Sequence, residues 1–201
     1  MRKVIVNEFM SLDGVVQAPG AADEDTTGGF KHGGWHLRYL EELSQQRILE
    51  GIVGAGGFLL GRRTYEIFAG YWPKAPQEEQ VVAEPLNKKP KYVASTTLHD
   101  PLEWQNSTVL HGGVAEAVAE LKQEDDADLQ VIGSTQLVQT LIQHNLVDQF
   151  WLMIDPLVLG GGKRVFRDDG ALRPLRLVQS EVTSTGAILA TYAPAEAWSS
   201  R

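Results

Sequence analysis

Leu59-Leu60-Gly61-Arg62-Arg63-Thr64-Tyr65-Glu66 decides how the chain is read. The apolar run Gly57 to Leu60 reads as a buried strand, and a helical pattern follows the arginines and the threonine. A glycine at the junction lets another group approach the backbone closely. The first turn of a helix carries N–H groups without intrahelical partners, which makes a seat for an anion. Two arginines beside it can add charge-assisted hydrogen bonds of the kind that hold phosphate. Gly133-Ser134-Thr135 repeats the pattern, so the two turns read as halves of one phosphate-bearing nucleotide site. The plainer alternative is a common strand–glycine–helix turn with arginines that only solvate a surface.

Working outward, Val4 to Met10 is a strand whose first half is apolar on both faces, as in the centre of a sheet. Asn7 and Phe9 share one face of it. Ser11-Leu12-Asp13-Gly14 is a turn. Ala18 to Gly34 carries Pro19, five glycines and Asp23-Glu24-Asp25, and is a loop. A loop of that length is often functional, so a substrate lid and a variable insertion both fit, with its acidic residues solvated. Trp35 to Leu49 reads as a helix with Leu37, Leu40, Leu43 and Ile48 inward. Helical patterns also cover Arg62–Trp72, Pro76–Asn87, Val114–Leu121 and Thr135–His144. Strand patterns cover Lys91–Ser95, Thr108–Leu110, Leu129–Ile132 and Gln149–Ile154, and Leu175–Thr183 with Ala187–Tyr192 forms a closing hairpin. Helices alternate with strands through the middle, and two adjacent strands come last. The expected fold is α/β: a central mixed, mainly parallel sheet flanked by helices, with an antiparallel C-terminal edge. Ligands of such sheets lie beyond the carboxyl ends of the strands, here Gly61, Ser95-Thr96 and Gly133. Residues 1–194 read as one domain and 195–201 as a tail.

Composition narrows the function. The 201 residues carry a net charge of −8 with no basic block, which disfavours nucleic acid. There are no cysteines, so disulfides, thiolate metal sites and cysteine nucleophiles are excluded. No apolar run approaches the roughly 20 residues of a membrane span, and no signal-peptide pattern precedes the first strand. A cytoplasmic protein is expected. His32 and His36 have i, i+4 spacing, but Gly33-Gly34 lie between them and no third ligand is evident, so no metal is expected.

The motifs in order are Ser11-Leu12-Asp13-Gly14, Gly61 to Glu66, Val131-Ile132-Gly133-Ser134-Thr135-Gln136-Leu137, and Val147 to Phe150 continuing to Pro156–Phe166 with Gly160-Gly161-Gly162-Lys163. Together they resemble the dihydrofolate-reductase-like fold. More closely they resemble the reductase domain of riboflavin biosynthesis, the RibD C-terminal type, and its stand-alone relatives. The resemblance runs from about Val4 to about Tyr192 and implies an NADPH-dependent reductase. By position, Gly61, Arg62 and Arg63 would hold the 2′-phosphate or the pyrophosphate, and Thr64 would help cap that helix and touch phosphate. Ser95 and Thr96 match the adenosine-ribose and 2′-phosphate region. Gly133, Ser134, Thr135, Gln136 and Leu137 match the pyrophosphate loop, and Asp13 to Val16 the segment near the nicotinamide ribose. Asn7, Phe9, Trp35 and Trp72 are the expected substrate contacts.

Two departures bear on the substrate. Dihydrofolate reductases place a carboxylate five residues after a tryptophan. If Trp35 is that tryptophan, the position holds Leu40, and Glu41 would face another way on a helix. The riboflavin reductases carry a glutamate where this chain has Val131 or Ile132. Asp13 fits two readings: an Asx-type turn, or a contact to a ribose hydroxyl or a proton relay. Trp72 fits either a pocket floor or the core. The expected function is hydride transfer from NADPH to a small, pterin- or pyrimidine-like heterocycle. The alternative is a nucleotide-binding protein of the same fold without turnover. A homodimer is expected from the apolar strand Phe150–Ile154 and the closing hairpin.

Overall fold

A computed structural model describes residues 1–124 and 126–196. Its centre is one eight-stranded sheet in the order β4-β3-β2-β5-β1-β6-β8-β7. The strands are β1 (Val4–Ser11), β2 (Gly57–Gly61), β3 (Lys91–Ala94), β4 (Ser107–Val109), β5 (Leu129–Val131), β6 (Gln149–Asp155), β7 (Leu175–Val182) and β8 (Ile188–Pro194). β1 to β6 are mutually parallel, and β8 joins β6 antiparallel with β7 outermost. The expected fold class is found, antiparallel edge included. Among the described residues no helix is long and apolar enough to cross a membrane.

Alternation along the strands sorts the side chains into two layers. Val4, Val6 and Met10 of β1 join Leu59, Leu129 and Val131 in a core under α4 (Val114–Gln123) and α5 (Thr135–Gln143). On the other face, Phe58 and Leu60 pack with α1 (Glu42–Gly54), α2 (Arg62–Tyr71) and α3 (Gln80–Lys88). That second layer is not continuous. A separate cluster of Met153, Ala187 and Leu189, with Phe9, Leu43 and Trp151 packed on it, lies toward β8. Asn7 and Gln130 stand on the same face, and neither belongs to either cluster.

Two expectations are corrected. The helix anticipated from Trp35 begins only at Glu42 and runs on to Gly54. Leu40 is extended, and Glu41 is the N-cap. The Ser44 hydroxyl accepts the Glu41 N–H at 2.9 Å and donates to the Glu41 carbonyl, which starts the helix there. Leu37, expected inward, is exposed. β6 is also no bare edge: it is paired on both sides, and Phe150, Leu152 and Met153 are buried. Exposed apolar side chains lie instead on the terminal hairpin, at Leu177, Val178, Val182 and Ile188. Asp125 and the residues after 196, expected as loop and tail, lie outside the described residues.

Candidate active site

β2 and β5 are neighbours, with Leu59 opposite Val131, so the turns at their carboxyl ends are adjacent. The turns interlock. The Gly61 N–H donates to the Gly133 carbonyl at 3.2 Å. A Cβ on Gly61 would fall 2.1 Å from Ser134 Oγ, so the approach needs glycine. Gly133 has φ +66° and faces Thr64 Oγ1. Gly61 and Ser134 are the N-caps of α2 and α5, and neither helix start has a side-chain cap. Two sets of free first-turn N–H groups thus open side by side, which is the arrangement an extended diphosphate fits. Thr64, Thr135, Gln136 and Leu137 all lie within these first turns, but Thr64, expected to cap α2, makes no cap hydrogen bond.

The two arginines diverge. Arg62 leans along α2 toward Glu66 at 3.7 Å. Arg63 reaches across to Asp25, whose other oxygen takes Lys163. Asp25 is therefore not the solvated loop residue expected of it. Burial works to raise its carboxyl, but Lys163 and Thr27 outweigh that and hold it down at about 2. Gln17 completes the tie: its amide donates to the Asp25 and Thr27 carbonyls and accepts the Lys163 N–H. Trp35, buried, donates its indole N–H to the Gln17 carbonyl. Trp35 thus anchors the long loop. A cavity of about 450 Å³ lies beside this tie, between Thr27–His32 and the Leu159–Lys163 glycine loop.

Asp13 is spent on the fold. Its carboxylate accepts the Ser11 hydroxyl at 2.7 Å and the Leu159 and Gly160 N–H groups. Burial would raise it, but these bonds prevail and hold it at about 2. That leaves it a loop tie and a poor proton donor near neutral pH. Val16 is buried in the α5-side core. Ser95, at the end of β3, accepts the Thr97 and Leu98 N–H groups, and Thr96 follows it, exposed.

On the opposite layer, Asn7, Phe9 and Ile132 keep partial exposure although they lie mid-sheet or at its carboxyl end. Ile132 packs on the α1–α3 cluster and Phe9 on the Met153 cluster, and Asn7 belongs to neither. The Asn7 amide donates to Gln130 Oε1 and to the Ile5 carbonyl. Phe9 stacks on His36 with centroids 3.8 Å apart. His36 Nδ1 pairs with Asp155 at 2.7 Å, both buried. Glu41 is no substrate carboxylate, because it accepts from Ser184 in the terminal hairpin. Trp72 packs edge-on to Phe68 and Tyr71 in the α1–α3 core, closer to the core reading than to a pocket floor.

Glu8 went unremarked in the sequence. It is the single ionisable residue on its face of β1, after Val4 and Val6 and before Met10, and that break in the alternation was the available signal. Its Oε1 is buried without a hydrogen-bond partner. Burial, with the Glu24 charge adding to it, pushes its carboxyl up to about 8.

Sheet order, interlocked glycine turns and paired helix starts define a dihydrofolate-reductase-like α/β protein. The chain matches the RibD C-terminal domain over residues 2–189 and belongs to that reductase-type family. It is 32% identical over 137 residues to the uncharacterized protein YyaP of Bacillus subtilis (strain 168), covering 67% of this chain and 71% of that one. The fold is shared with a diaminohydroxyphosphoribosylaminopyrimidine deaminase/5-amino-6-(5-phosphoribosylamino)uracil reductase from Thermotoga maritima (TM-score 0.65, 14% identity, 96% of this chain and 57% of that one). It is shared also with the dihydrofolate reductase of Enterococcus faecalis solved with NADP(H) (TM-score 0.59, 13% identity, 96% of each).

Proposed function

We propose that the protein is an NADPH-dependent reductase that transfers a hydride to a small pterin- or pyrimidine-like heterocycle. The observation that carries the reading is the interlock of Gly61 with Ser134, which sets two uncapped helix starts side by side at adjacent strand ends. NADPH supplies the hydride when bound, and the chain supplies position. The α2 and α5 starts bind the pyrophosphate, with Gly133 and Ser134 against it. Arg62 or Arg63 holds the 2′-phosphate, Ser95 and Thr96 flank the adenosine ribose, and Val16 walls the nicotinamide ribose. Asn7 and Phe9 face the acceptor. The Asp13 carboxylate orders the loop around that ribose.

Titration with NADPH and NADH tests this. Arg→Ala at 62 or 63 should cost about 1.5–3 kcal/mol in NADPH affinity, the range for charged hydrogen bonds, or roughly one to two decades. NADH affinity should hardly move. An unchanged NADPH-to-NADH ratio in both variants sinks the phosphate seat.

A second reading is a nucleotide-binding protein without turnover. It is favoured by the acceptor side, where Leu40 replaces a carboxylate while Glu41 and Asp155 are engaged elsewhere. Steady NADPH oxidation with pterin, pyrimidine or aldehyde acceptors rules it out. We also propose a homodimer through the exposed apolar hairpin residues. A monomer mass by light scattering at micromolar concentration rules that out.

A further inference from the structure

Glu8 stands at a particular place in the site. The last β1–β5 pair is Val6 with Val131 and β5 ends there, so Glu8, two residues further along β1, has no β5 partner beside it. Met10, Val16 and Leu137 pack on the same face. Glu8 thus lies between the Asp13–Val16 segment and the start of α5, the two segments that would flank a nicotinamide riboside. Asn7 and Phe9, on the acceptor side, point to the opposite face of the strand. Glu8 is therefore placed for the cofactor rather than for the acceptor.

Its surroundings keep it un-ionised. The long loop presents Glu24, whose charge raises it further. Asp25 and Lys163 of the neighbouring loops are paired with each other, and Arg164 is turned to Asp13. α5 carries no ionisable residue, and the β6 neighbour is Leu152. With a carboxyl pushed up to about 8, the group is a neutral acid at neutral pH. A neutral carboxylic acid presents one O–H donor and one carbonyl acceptor. A primary carboxamide presents the complement, whereas a carboxylate can only accept.

We propose that Glu8 is a cofactor-recognition residue whose carboxyl pairs with the carboxamide of a bound nicotinamide nucleotide, its O–H donating to the amide oxygen and its carbonyl accepting an amide N–H. The assignment rests on the reductase reading above. It makes the nicotinamide end, and not the phosphates, the pH-sensitive part of binding.

Wild type, Glu8→Gln and Glu8→Leu are titrated with NADP⁺ and with 2′-phospho-ADP-ribose, which lacks the nicotinamide, following heat or tryptophan fluorescence. The wild-type Kd for NADP⁺ should rise about tenfold from roughly pH 7 to pH 9, as the carboxyl ionises. The Kd for 2′-phospho-ADP-ribose should stay flat. Glu8→Gln keeps a donor and an acceptor, so its NADP⁺ affinity near pH 7 should stay within about threefold of wild type and lose the pH slope. Glu8→Leu should lose about tenfold for NADP⁺ and nothing for 2′-phospho-ADP-ribose. A wild-type-like slope in Glu8→Gln, a flat wild type, or equal loss of both nucleotides in Glu8→Leu overturns the assignment. If wild type binds neither nucleotide at millimolar concentration, the cofactor seat itself is wrong and the assignment falls with it.

Discussion

Asp25 holds Arg63: a guanidinium nitrogen lies 3.0 Å from one carboxylate oxygen, while the other oxygen takes the Lys163 ammonium. The long loop therefore lays an internal anion on a cation at the start of α2. A phosphate bound there competes with that carboxylate. Exposed ion pairs are worth about 0.2–1 kcal/mol each. Removing both by Asp25→Asn should then tighten 2′-phospho-ADP-ribose binding by roughly two- to thirtyfold. The gain should shrink in high salt, because these groups are partly solvated. Titration of both proteins at low and high salt checks this, and an unchanged or weaker affinity in the variant would mean that Asp25 supports the seat instead.

The His36–Asp155 pair ties the turn before α1 to the end of β6, and both side chains are buried. Burial raises the Asp155 carboxyl, and the His36 hydrogen bond opposes that only in part. Removing one partner of such a pair leaves the other buried and unmatched, which costs about 3–5 kcal/mol. Asp155→Ala should therefore lower the urea-unfolding free energy by about that much. Asp155→Asn keeps an acceptor for Nδ1–H and should cost only about 1–2 kcal/mol. Equal losses in the two variants would show that the hydrogen bond is not what matters.

Sheet class and the two glycine turns were legible because both are local signals. Gly57–Leu60 has strand composition, Gly61 ends β2 and Gly133 follows β5, and each comes just before a helix. What was illegible depends on partners far along the chain. Asp25 meets Lys163, Asp13 meets Leu159 and Gly160, and His36 meets Asp155. None of these pairings has a spacing rule. The late start of α1 was missed because Leu37, Leu40 and Leu43 keep helical spacing across a 3₁₀ turn and an extended Leu40, while Ser44 fixes the true start at Glu41. The strand Phe150–Ile154 looked like an uncovered edge because its partner β8 follows more than thirty residues later.

The glycine interlock is directly testable. Gly61→Ala puts a methyl carbon 2.1 Å from Ser134 Oγ and 2.9 Å from Ser134 Cβ, which the structure cannot absorb without moving one turn. Overpacking of this kind costs about 1–3 kcal/mol. The Ser134 backbone nitrogen also lies 2.9 Å from that carbon, so Ser134→Gly, which removes only the Oγ and Cβ contacts, should restore part of the loss in a double-mutant cycle. Thermal unfolding of the four proteins reads this, and simple additivity would show that the two turns do not touch in solution. Nucleotide affinity should fall with stability in Gly61→Ala, since both helix starts depend on the same contact.

Glu8 sets a pH dependence of stability whose sign follows from its raised carboxyl. In the unfolded chain it titrates near 4.5, and in the folded protein at about 8. Below the lower value both states are protonated and the group is neutral to stability. Between the two, only the folded state holds the proton. Raising the pH through this window therefore draws the protein toward the unfolded state, and above the upper value the penalty is complete. At 1.36 kcal/mol per pH unit, discounted because the residue is partly exposed, the loss is on the order of 2–4 kcal/mol. Glu8→Gln has no proton to lose. It should match wild type near pH 4 to 5 and exceed it by about that amount at pH 9. Lys91, which burial pushes down to about 8, and Asp155 titrate as well, but both are present in the two proteins and cancel in the difference. Urea unfolding at half-unit pH intervals gives the difference curve. A flat difference would place Glu8 in contact with water and remove the basis for a neutral carboxyl at the strand end. A rising difference would show that the chain keeps a destabilising acid at this position, the mark of a residue held for binding rather than for folding.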